Sequence, residues 1–191
     1  MSKSYDQLTD RHVEFIKKQK MFFAATAPLS SDGSVNVSPK GYDSLVILDP
    51  NTVAWIDLGG SGIETLAHLR ENGRITLMYC AFEGAANILR IYGTGEAIAF
   101  DDAEFPELLK LFPNFDRARS IIRIKIDRVS DSCGWGVPFY EFKEEREQLQ
   151  RWMDNKPYDE WKEHRYNSNE TSVDGLPGLV RQKSGEQGDP N

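Results

Sequence analysis

The stretch "IDLGGSGIETLAHL", residues 56–69, holds groups that can bind an anion. Gly59, Gly60 and Ser61 follow an apolar segment and lead into residues with helical spacing. Free N–H groups and the positive end of the helix dipole form an anion site, and glycines let a phosphate approach the backbone. One interpretation is therefore a phosphate-binding turn.

The other interpretation of this stretch is structural. Ser61 and Glu64 have the spacing of a capping box, in which the serine hydroxyl accepts from an N–H of the first turn and the glutamate reaches back. This pattern predicts a self-capped helix over 61–72, with His68 on its polar face. The stretch is neither a Walker loop nor a complete G-x-G-x-x-G motif, so it does not decide between a cap and a phosphate site.

Cationic residues on other segments favour the phosphate interpretation. Lys40 stands at the end of the strand-like "SVNVSPKG", where it is either a phosphate partner or a solvated lysine. Three arginines lie on neighbouring segments: Arg70, Arg74 and Arg90. An anionic ligand in an acidic chain needs such local cations.

Other reactive residue types do not form a recognisable site. His12, His68 and His164 are far apart in the chain, and Cys80 and Cys133 have no metal-ligand spacing, so we predict no metal site. No histidine lies near Cys133 in sequence, which predicts a buried, unreactive thiol rather than a nucleophile. No catalytic acid or base stands out, and hydrolase chemistry has no support.

Composition limits the possible partners. The 191 residues carry a formal charge of −7, which repels nucleic acid and anionic membrane surfaces. No apolar run reaches the roughly 18 to 20 residues of a membrane span, and the polar N-terminus does not resemble a signal peptide. We expect a cytoplasmic protein that binds neither nucleic acid nor membranes.

The elements that must position these residues are mostly strands. Alternating or β-branched runs predict strands within 21–29, 34–41, 44–49, 52–57, 73–82, 86–100 and 119–133. Helices are predicted near 10–19, with Thr9 as the cap, over 61–72, within 101–112 and from about 142. Six or seven strands with few helices indicate an antiparallel barrel.

Several blocks in a fixed order resemble a known family. These blocks are "FFAATAPLSSDGSVNVSPKGYDSL", "VAWIDLGGSGIETLAHLRENGRITLMYCAFEG", "ILRIYGTGEAI" and "VSDSCGWGVPFYEF". Over about residues 20–180 they resemble the pyridoxamine 5'-phosphate oxidase-related family of flavin-binding split barrels. The likeness is to an uncharacterised branch whose members carry the blocks "SGIETLAHLRENGRI" and "SCGWGVP" and a late "SVDGLPGL". Because "VDGLPGLVRQK" does not resemble the basic substrate motif of true pyridoxamine-phosphate oxidases, that activity is not expected.

The resemblance implies an α+β, mainly β fold: a six-stranded antiparallel split β-barrel with peripheral helices. It implies a homodimer that binds FMN at the subunit interface and acts as an oxidoreductase on a small organic substrate. The alternatives to FMN are a bound deazaflavin or a protein that has no cofactor. The alternative function is a non-catalytic protein of the same fold that binds a flavin or another planar ligand. Under either function no residue of the chain need be catalytic.

The resemblance also implies cofactor-binding residues. It places along the flavin and its phosphate Ser38, Lys40, Trp55, Asp57, Gly60, Ser61, Gly62, Thr65, Arg90 and Trp135. Many relatives carry basic residues where this chain has Ser61 and Gly62. The phosphate would then depend on backbone amides, hydroxyls, Lys40 and Arg90. Trp135 is either a stacking partner of the flavin or a packing residue at the interface.

The domain prediction divides the chain near residue 155. Residues 1–155 would form the FMN-binding split barrel, with an N-terminal helix and a C-terminal helix from about 142. Residues 156–191 would form an extension, partly docked near 172–180 because "VDGLPGLV" is more apolar than a free tail needs. The polar end "RQKSGEQGDPN" is expected to be mobile.

Overall fold

Eight antiparallel strands form one sheet in a computed structural model that describes residues 3–181. The strands are β1 (Lys3–Tyr5), β2 (Phe22–Thr26), β3 (Asn36–Lys40), β4 (Leu45–Asp49), β5 (Thr52–Asp57), β6 (Arg74–Cys80), β7 (Ile88–Ala99) and β8 (Ser120–Ser132). The helices are α1 (Asp10–Lys18), α2 (Glu64–Asn72), α3 (Phe105–Leu109), α4 (Gln148–Asp154) and α5 (Tyr158–Ser168).

The strand order is β3-β2-β6-β7-β8-β5-β4, and β1 pairs with β8 beyond this path. The predicted antiparallel, mainly β architecture is confirmed, and all seven predicted strand segments contain a strand. The count of six strands is wrong. Residues 3–181 contain eight, and the strand that no pattern indicated is β1, a short polar segment that pairs with the end of β8.

Strand β8 organises the sheet. It pairs with β7 along its whole length, with β5 over its first half and with β1 near its end. Ile122, Ile124 and Ile126 point into one hydrophobic cluster, whereas Ile121 packs into a second cluster on the other face. Alternation along one strand therefore serves two cores.

The two hydrophobic clusters lie on opposite faces of the sheet. The first is enclosed by the strands and α1, and it includes Trp55. The second lies between β5, β7 and β8 on one side and the helices α2, α3, α4 and α5 on the other. Met153 of α4 belongs to it, and so do Trp161 and Leu179, so residues beyond 155 also contribute to this core.

Helix α1 begins where the sequence predicts. Thr9 caps it, accepting from the His12 N–H, while Nδ1 of His12 accepts from the Thr9 N–H at 3.1 Å. Pro106 lies in the first turn of α3, as its missing N–H requires.

The capping box predicted for α2 is wrong. The helix begins at Glu64, its N-cap is Ile63, and no side chain caps it. The Glu64 carboxylate instead accepts a hydrogen bond from the Val173 N–H at 3.3 Å. Glu64 therefore bonds to a residue 109 positions away and not back to the start of its own helix.

The C-terminal part of the chain differs from the prediction in where its first helix begins. No helix begins near residue 142, because 133–147 has no regular structure and α4 begins at Gln148. Within 172–180 Leu179 is buried, and Arg70 donates to the Gly178 carbonyl. Residues 182–191, nearly all of the segment predicted to be mobile, lie outside the described residues.

Residues 169–180 form a strap over the start of α2. A bridge pairs Thr171 with Pro177, and Leu179 N–H donates to the Asn169 carbonyl at 2.8 Å. Asp174 accepts from both the backbone N–H and the hydroxyl of Ser34, at 2.6 and 3.0 Å. The strap thus joins the second core to the loop between β2 and β3.

Candidate functional site

A buried ion pair stands at the end of β5. Arg119 donates to the Oδ2 atom of Asp57 from Nη2 at 2.7 Å and from Nε at 3.0 Å. The N–H of Gly59 donates to Oδ1 at 3.2 Å. Burial alone would raise the pKa of Asp57, but the charges of Arg119 and Lys40 and these hydrogen bonds lower it to about 2. Asp57 is therefore ionised at neutral pH, and its carboxylate is paired with the guanidinium of Arg119.

The carbonyls of the glycine turn, residues 58–62, point inward to cationic and amide donors. Arg119 donates to the Gly62 carbonyl at 2.6 Å, and Arg165 of α5 donates to the Gly60 carbonyl at 3.2 Å. The amide of Asn169 donates to the Gly60 and Ser61 carbonyls, both at 3.3 Å. Side chains from the residue before β8, from α5 and from the strap therefore hold the turn in this conformation.

The N–H groups of the same turn point the other way. In a trans peptide the C=O and the following N–H are antiparallel, and the described residues contain no cis peptide. Inward carbonyls at 59, 60 and 61 therefore direct the N–H groups of Gly60, Ser61 and Gly62 outward. Within residues 3–181 none of these three N–H groups has a hydrogen-bond acceptor, and all three residues are exposed. Successive outward N–H groups ahead of a helix form an anion-binding concavity.

Gly59 is required by the backbone of this turn. Its φ is +85°, and a Cβ there would lie 2.8 Å from the Cζ atom of Arg165. Gly60 has open space instead, with no heavy atom within 4 Å of a built Cβ. One glycine is thus fixed by conformation and packing, while its neighbour leaves room for a ligand.

Lys40 lies beside this turn. Its Nζ atom stands over the ring of Trp55, 4.7 Å from the centroid, and no acceptor within residues 3–181 forms a hydrogen bond or ion pair with it. Burial lowers the pKa of Lys40, opposed by the charge of Asp57. A half-buried ammonium group without an acceptor is costly for the chain alone and favourable for an anionic ligand.

Four of the predicted residues line one cavity of about 210 Å³. These are Lys40, Trp55, Asp57 and Gly60, together with Tyr42 and Gly59. Trp55 is only 1% exposed and packs edge-on against Phe22. Its indole ring lies directly beneath the ammonium group of Lys40. Ser61 and Gly62 stand on the exposed outer side of the turn.

The backbone between Lys40 and β4 is strained. Tyr42 and Asp43 have φ angles of +64° and +51°, which non-glycine residues rarely adopt. The Tyr42 hydroxyl donates to the Arg146 carbonyl at 2.5 Å, and Tyr42 also borders a larger groove of about 790 Å³. Such strain persists where the surroundings hold it, and it clusters at ligand sites.

Ser38 and Thr65 meet in a separate polar network beside the turn. The amide of Asn36 donates to Thr65 Oγ1 at 3.0 Å, and its carbonyl oxygen accepts from Ser38 Oγ at 3.1 Å. The same amide reaches Thr26, whose hydroxyl lies 2.9 Å from Nδ1 of His68. Thr65 is buried, and its hydroxyl is bonded to Asn36 rather than to the turn.

The prediction that His68 is exposed is wrong. Its side chain is 0% exposed, because the strap and the loop after β2 cover the face of α2 that the sequence left polar. Burial lowers the pKa of His68, partly offset by the nearby carboxylates of Asp174, Glu64 and Glu71. Its Nε2 atom has no partner among the described residues.

Arg90 and Lys40 do not converge within one chain. Arg90 lies opposite Met78, Met78 opposite Phe23, and Phe23 opposite Pro39. Arg90 therefore shares a sheet face with Pro39 and not with Lys40, about 14 Å away across three strand spacings. It donates instead to the Ser132 hydroxyl at 3.2 Å.

The segment after β8 is more exposed than predicted. Cys133 is exposed, which corrects the expectation of a buried thiol. Trp135 is 88% exposed and followed by the exposed rings of Phe139 and Tyr140. The turn around Gly134 packs against the backbone of Asn87 too closely for a Cβ and directs this aromatic segment outward.

Three residues of the site were missed by sequence reasoning: Arg119, Arg165 and Asn169. Each contacts the turn from at least 57 positions away, and none stands in a recognisable motif. Within the described part of the chain no three His, Cys, Asp or Glu side chains are placed to hold a metal ion. Among those same residues, no helix combines the length and apolar character needed to cross a bilayer.

Comparison with known proteins defines the family. A family model described as pyridoxamine 5'-phosphate oxidase matches residues 8–133. The curated pyridoxamine 5'-phosphate oxidase family protein ustO of Aspergillus flavus is 35% identical over 192 residues, which cover 92% of this chain and 77% of that protein. The chain belongs to the pyridoxamine 5'-phosphate oxidase family.

Solved structures agree with this fold. A histidine-to-alanine variant of tagged HupZ from Group A Streptococcus matches with a TM-score of 0.53 at 21% identity, covering 65% of this chain and 98% of that one. Tagged HupZ without that change matches with a TM-score of 0.51 at 21% identity, over 64% and 91% of the two chains. The helices α4 and α5 and the strap lie beyond the residues that the family model matches.

Proposed function

We propose that this chain binds FMN, with the flavin phosphate on the outward N–H groups of the glycine turn and beside Lys40. As an FMN-dependent oxidoreductase it would act on a small organic substrate in the cytoplasm, as a homodimer with a split-barrel core. Family membership supports a flavin as the ligand, and the geometry of the turn supports the place of its phosphate.

One observation carries the proposal: the ammonium group of Lys40 has no acceptor among the described residues, and it borders the cavity that Gly59 and Gly60 complete. Three cationic side chains, Lys40, Arg119 and Arg165, lie around this turn, against the carboxylates of Asp57 and Glu64. In a chain of formal charge −7 this is a local positive excess. It suits an anionic ligand group.

Bound FMN would supply hydride transfer, which no side chain can perform. The residues of the chain would bind, orient and shield it. The turn would hold the phosphate, Lys40 would donate to the phosphate or to a ring oxygen, and Tyr42 would close the wall between the cavity and the adjoining groove. Asp57 would keep Arg119 in place.

The homodimer is proposed from exposed apolar side chains. Val35, Val37, Trp135, Phe139 and Tyr140 are all at least 60% exposed. Exposed apolar surface of this kind marks an interaction site. The 210 Å³ cavity is also smaller than the roughly 300–1,000 Å³ of usual ligand sites, so a partner subunit would enclose the rest of the flavin.

A non-catalytic flavin-binding or planar-ligand-binding protein of the same fold is the second candidate. Asp57 favours it over any oxidoreductase whose reaction needs a proton donor besides the flavin, because it is the one carboxylate lining the cavity among the described residues, and its pKa is lowered to about 2. A group held ionised in this way has no proton to donate near neutral pH and is a weak base. Turnover with reduced nicotinamide and a panel of small organic oxidants would separate the two candidates.

The first test is the absorbance of the purified protein. Flavin bands that are released by heat, with the mass of FMN in the released material, support the proposal. A colourless protein that takes up neither added FMN nor riboflavin overturns it.

Lys40→Ala and Ser61→Ala should each weaken FMN binding, and if titration finds both equal to the parent, the phosphate lies elsewhere. Light scattering at micromolar concentration should give the mass of a dimer.

A further inference from the structure

Arg165 contacts the glycine turn from outside residues 8–133, which the family model matches. Its Nη1 atom donates to the Gly60 carbonyl at 3.2 Å, and its Nη2 atom reaches the Leu58 and Gly59 carbonyls, each at 3.4 Å. Asn169, four residues further on, donates to the Gly60 and Ser61 carbonyls. Two residues of the C-terminal extension thus engage four successive carbonyls of the turn.

The guanidinium of Arg165 is held beneath the turn. The side chain is 3% exposed, and its Cζ atom lies 4.6 Å from the ring centroid of Trp152. Its Nε atom has no acceptor among the described residues. No carboxylate forms an ion pair with it within residues 3–181, and Asp57, whose charge acts on it, is paired with Arg119.

An unneutralised buried cation is costly unless a nearby anion offsets it. Burial, together with the charge of Arg119, lowers the pKa of Arg165 to about 10. The three outward N–H groups stand on the opposite side of the same peptide units. A phosphate bound there would therefore meet both the N–H dipoles and the charge behind them.

We propose that Arg165, assisted by Asn169, is a positioning residue of the phosphate site: it turns the carbonyls of residues 58–61 inward and supplies charge to the phosphate through the turn. The inference rests on the proposed function. It accounts for Ser61 and Gly62 in place of basic residues, because the charge comes from α5 instead. The C-terminal extension is on this view a part of the cofactor site.

The test compares FMN with riboflavin, which lacks the phosphate, by fluorescence titration of the full-length protein. For Arg165→Gln we expect FMN affinity to fall at least tenfold and riboflavin affinity to change less than twofold. Arg181→Gln is the matched control, because Arg181 lies in the same extension but is exposed and pairs with Glu163. It should leave both affinities unchanged.

A merely structural role of Arg165 would weaken both ligands equally, and that result overturns the inference. So does an Arg165→Gln variant that retains the parent preference for FMN. Arg165→Lys keeps the charge and much of the packing on Trp152 but cannot span three carbonyls, and it should lose part of that preference. If the parent protein binds neither flavin, the proposed function itself fails.

A measurement on the parent protein does not depend on the folding of any variant. Titration with inorganic phosphate should shift the amide resonances of Gly60, Ser61 and Gly62 in preference to those of exposed Gly84 and Gly136. Equal shifts at all five glycine and serine amides would place the anion elsewhere, which overturns the proposed phosphate site and, with it, the inference that depends on that site.

Discussion

Arg119 and Asp57 are joined twice at the end of β5. The Arg119 N–H donates to the Asp57 carbonyl at 2.9 Å, and the guanidinium holds the carboxylate at 2.7 and 3.0 Å. The same guanidinium reaches the Gly62 carbonyl. One ion pair therefore links the sheet to the turn that the ligand would contact.

Asp57→Asn should strongly destabilise the protein. The substitution leaves the Arg119 charge uncompensated in a buried site, close to that of Arg165. Removing one partner of a buried ion pair costs about 3–5 kcal/mol, and the remaining amide oxygen places the expected loss near the lower figure. Urea unfolding measures it. Glu107→Gln breaks the exposed pair with Lys110 and should change stability by no more than about 0.5 kcal/mol. Equal effects of the two changes would contradict this account.

Three glycine-to-alanine changes separate backbone strain from crowding. Gly59→Ala meets both a φ of +85° and Arg165 at 2.8 Å, whereas Gly84→Ala meets a φ of +71° and open space. Gly60→Ala meets neither. Left-handed backbone costs a side chain about 1–2 kcal/mol, so the loss of unfolding free energy should be greatest at Gly59, smaller at Gly84 and smallest at Gly60. A Gly59 variant no less stable than the Gly84 variant would show that Arg165 does not pack as described.

Acidification should destabilise the protein through His68. Burial lowers its pKa from 6.5 in the folded state, so below about pH 6.5 the unfolded chain binds the proton more readily. Stability present at pH 7 is therefore lost as the pH falls toward 5. His68→Gln should reduce this loss, while His164→Gln, at an exposed position, should not. Unfolding curves at several pH values measure the slopes, and equal slopes for the two variants would exclude His68 as the source.

The affinity for FMN should fall with rising pH because of Lys40. Its pKa is lowered from 10.5, so it loses its charge at a lower pH than a free lysine does. FMN binding is expected to weaken as the pH rises from 7 toward 10, and riboflavin corrects for ionisation of the ring itself. Lys40→Arg keeps its charge over this range and should flatten the FMN curve. A Lys40→Arg curve that falls as steeply as the parent's would assign the decline to another group.

The strands could be predicted because their signal is local. In β8 the isoleucines at 122, 124 and 126 alternate with polar residues, and β5 and β6 are rich in β-branched and aromatic types. The start of α2 could not be predicted so well. The Glu64 carboxylate has a distant partner in Val173, which a three-residue spacing does not reveal.

The site could be predicted only in part, for the same reason. Lys40 and the glycine turn carry local signals, and the structure brings them to one cavity. His68 looked exposed because its neighbours on α2 are polar, but the strap that covers them comes from the other end of the chain. Arg165 and Asn169 stand in segments with no recognisable motif, and their contacts with the turn span 105 and 109 positions.

These long spans bear on the order in which the molecule takes shape. Contacts between distant positions form late in folding, because the intervening chain must first be closed into a loop. The sheet from β2 to β8, and the contact of Arg119 with the Gly62 carbonyl, can form while the chain is still being synthesised, but the turn acquires the partners from Arg165 and Asn169 only after α5 and Asn169 have left the ribosome. Cofactor loading would then follow the folding of α5 onto the turn rather than guide the early steps of folding.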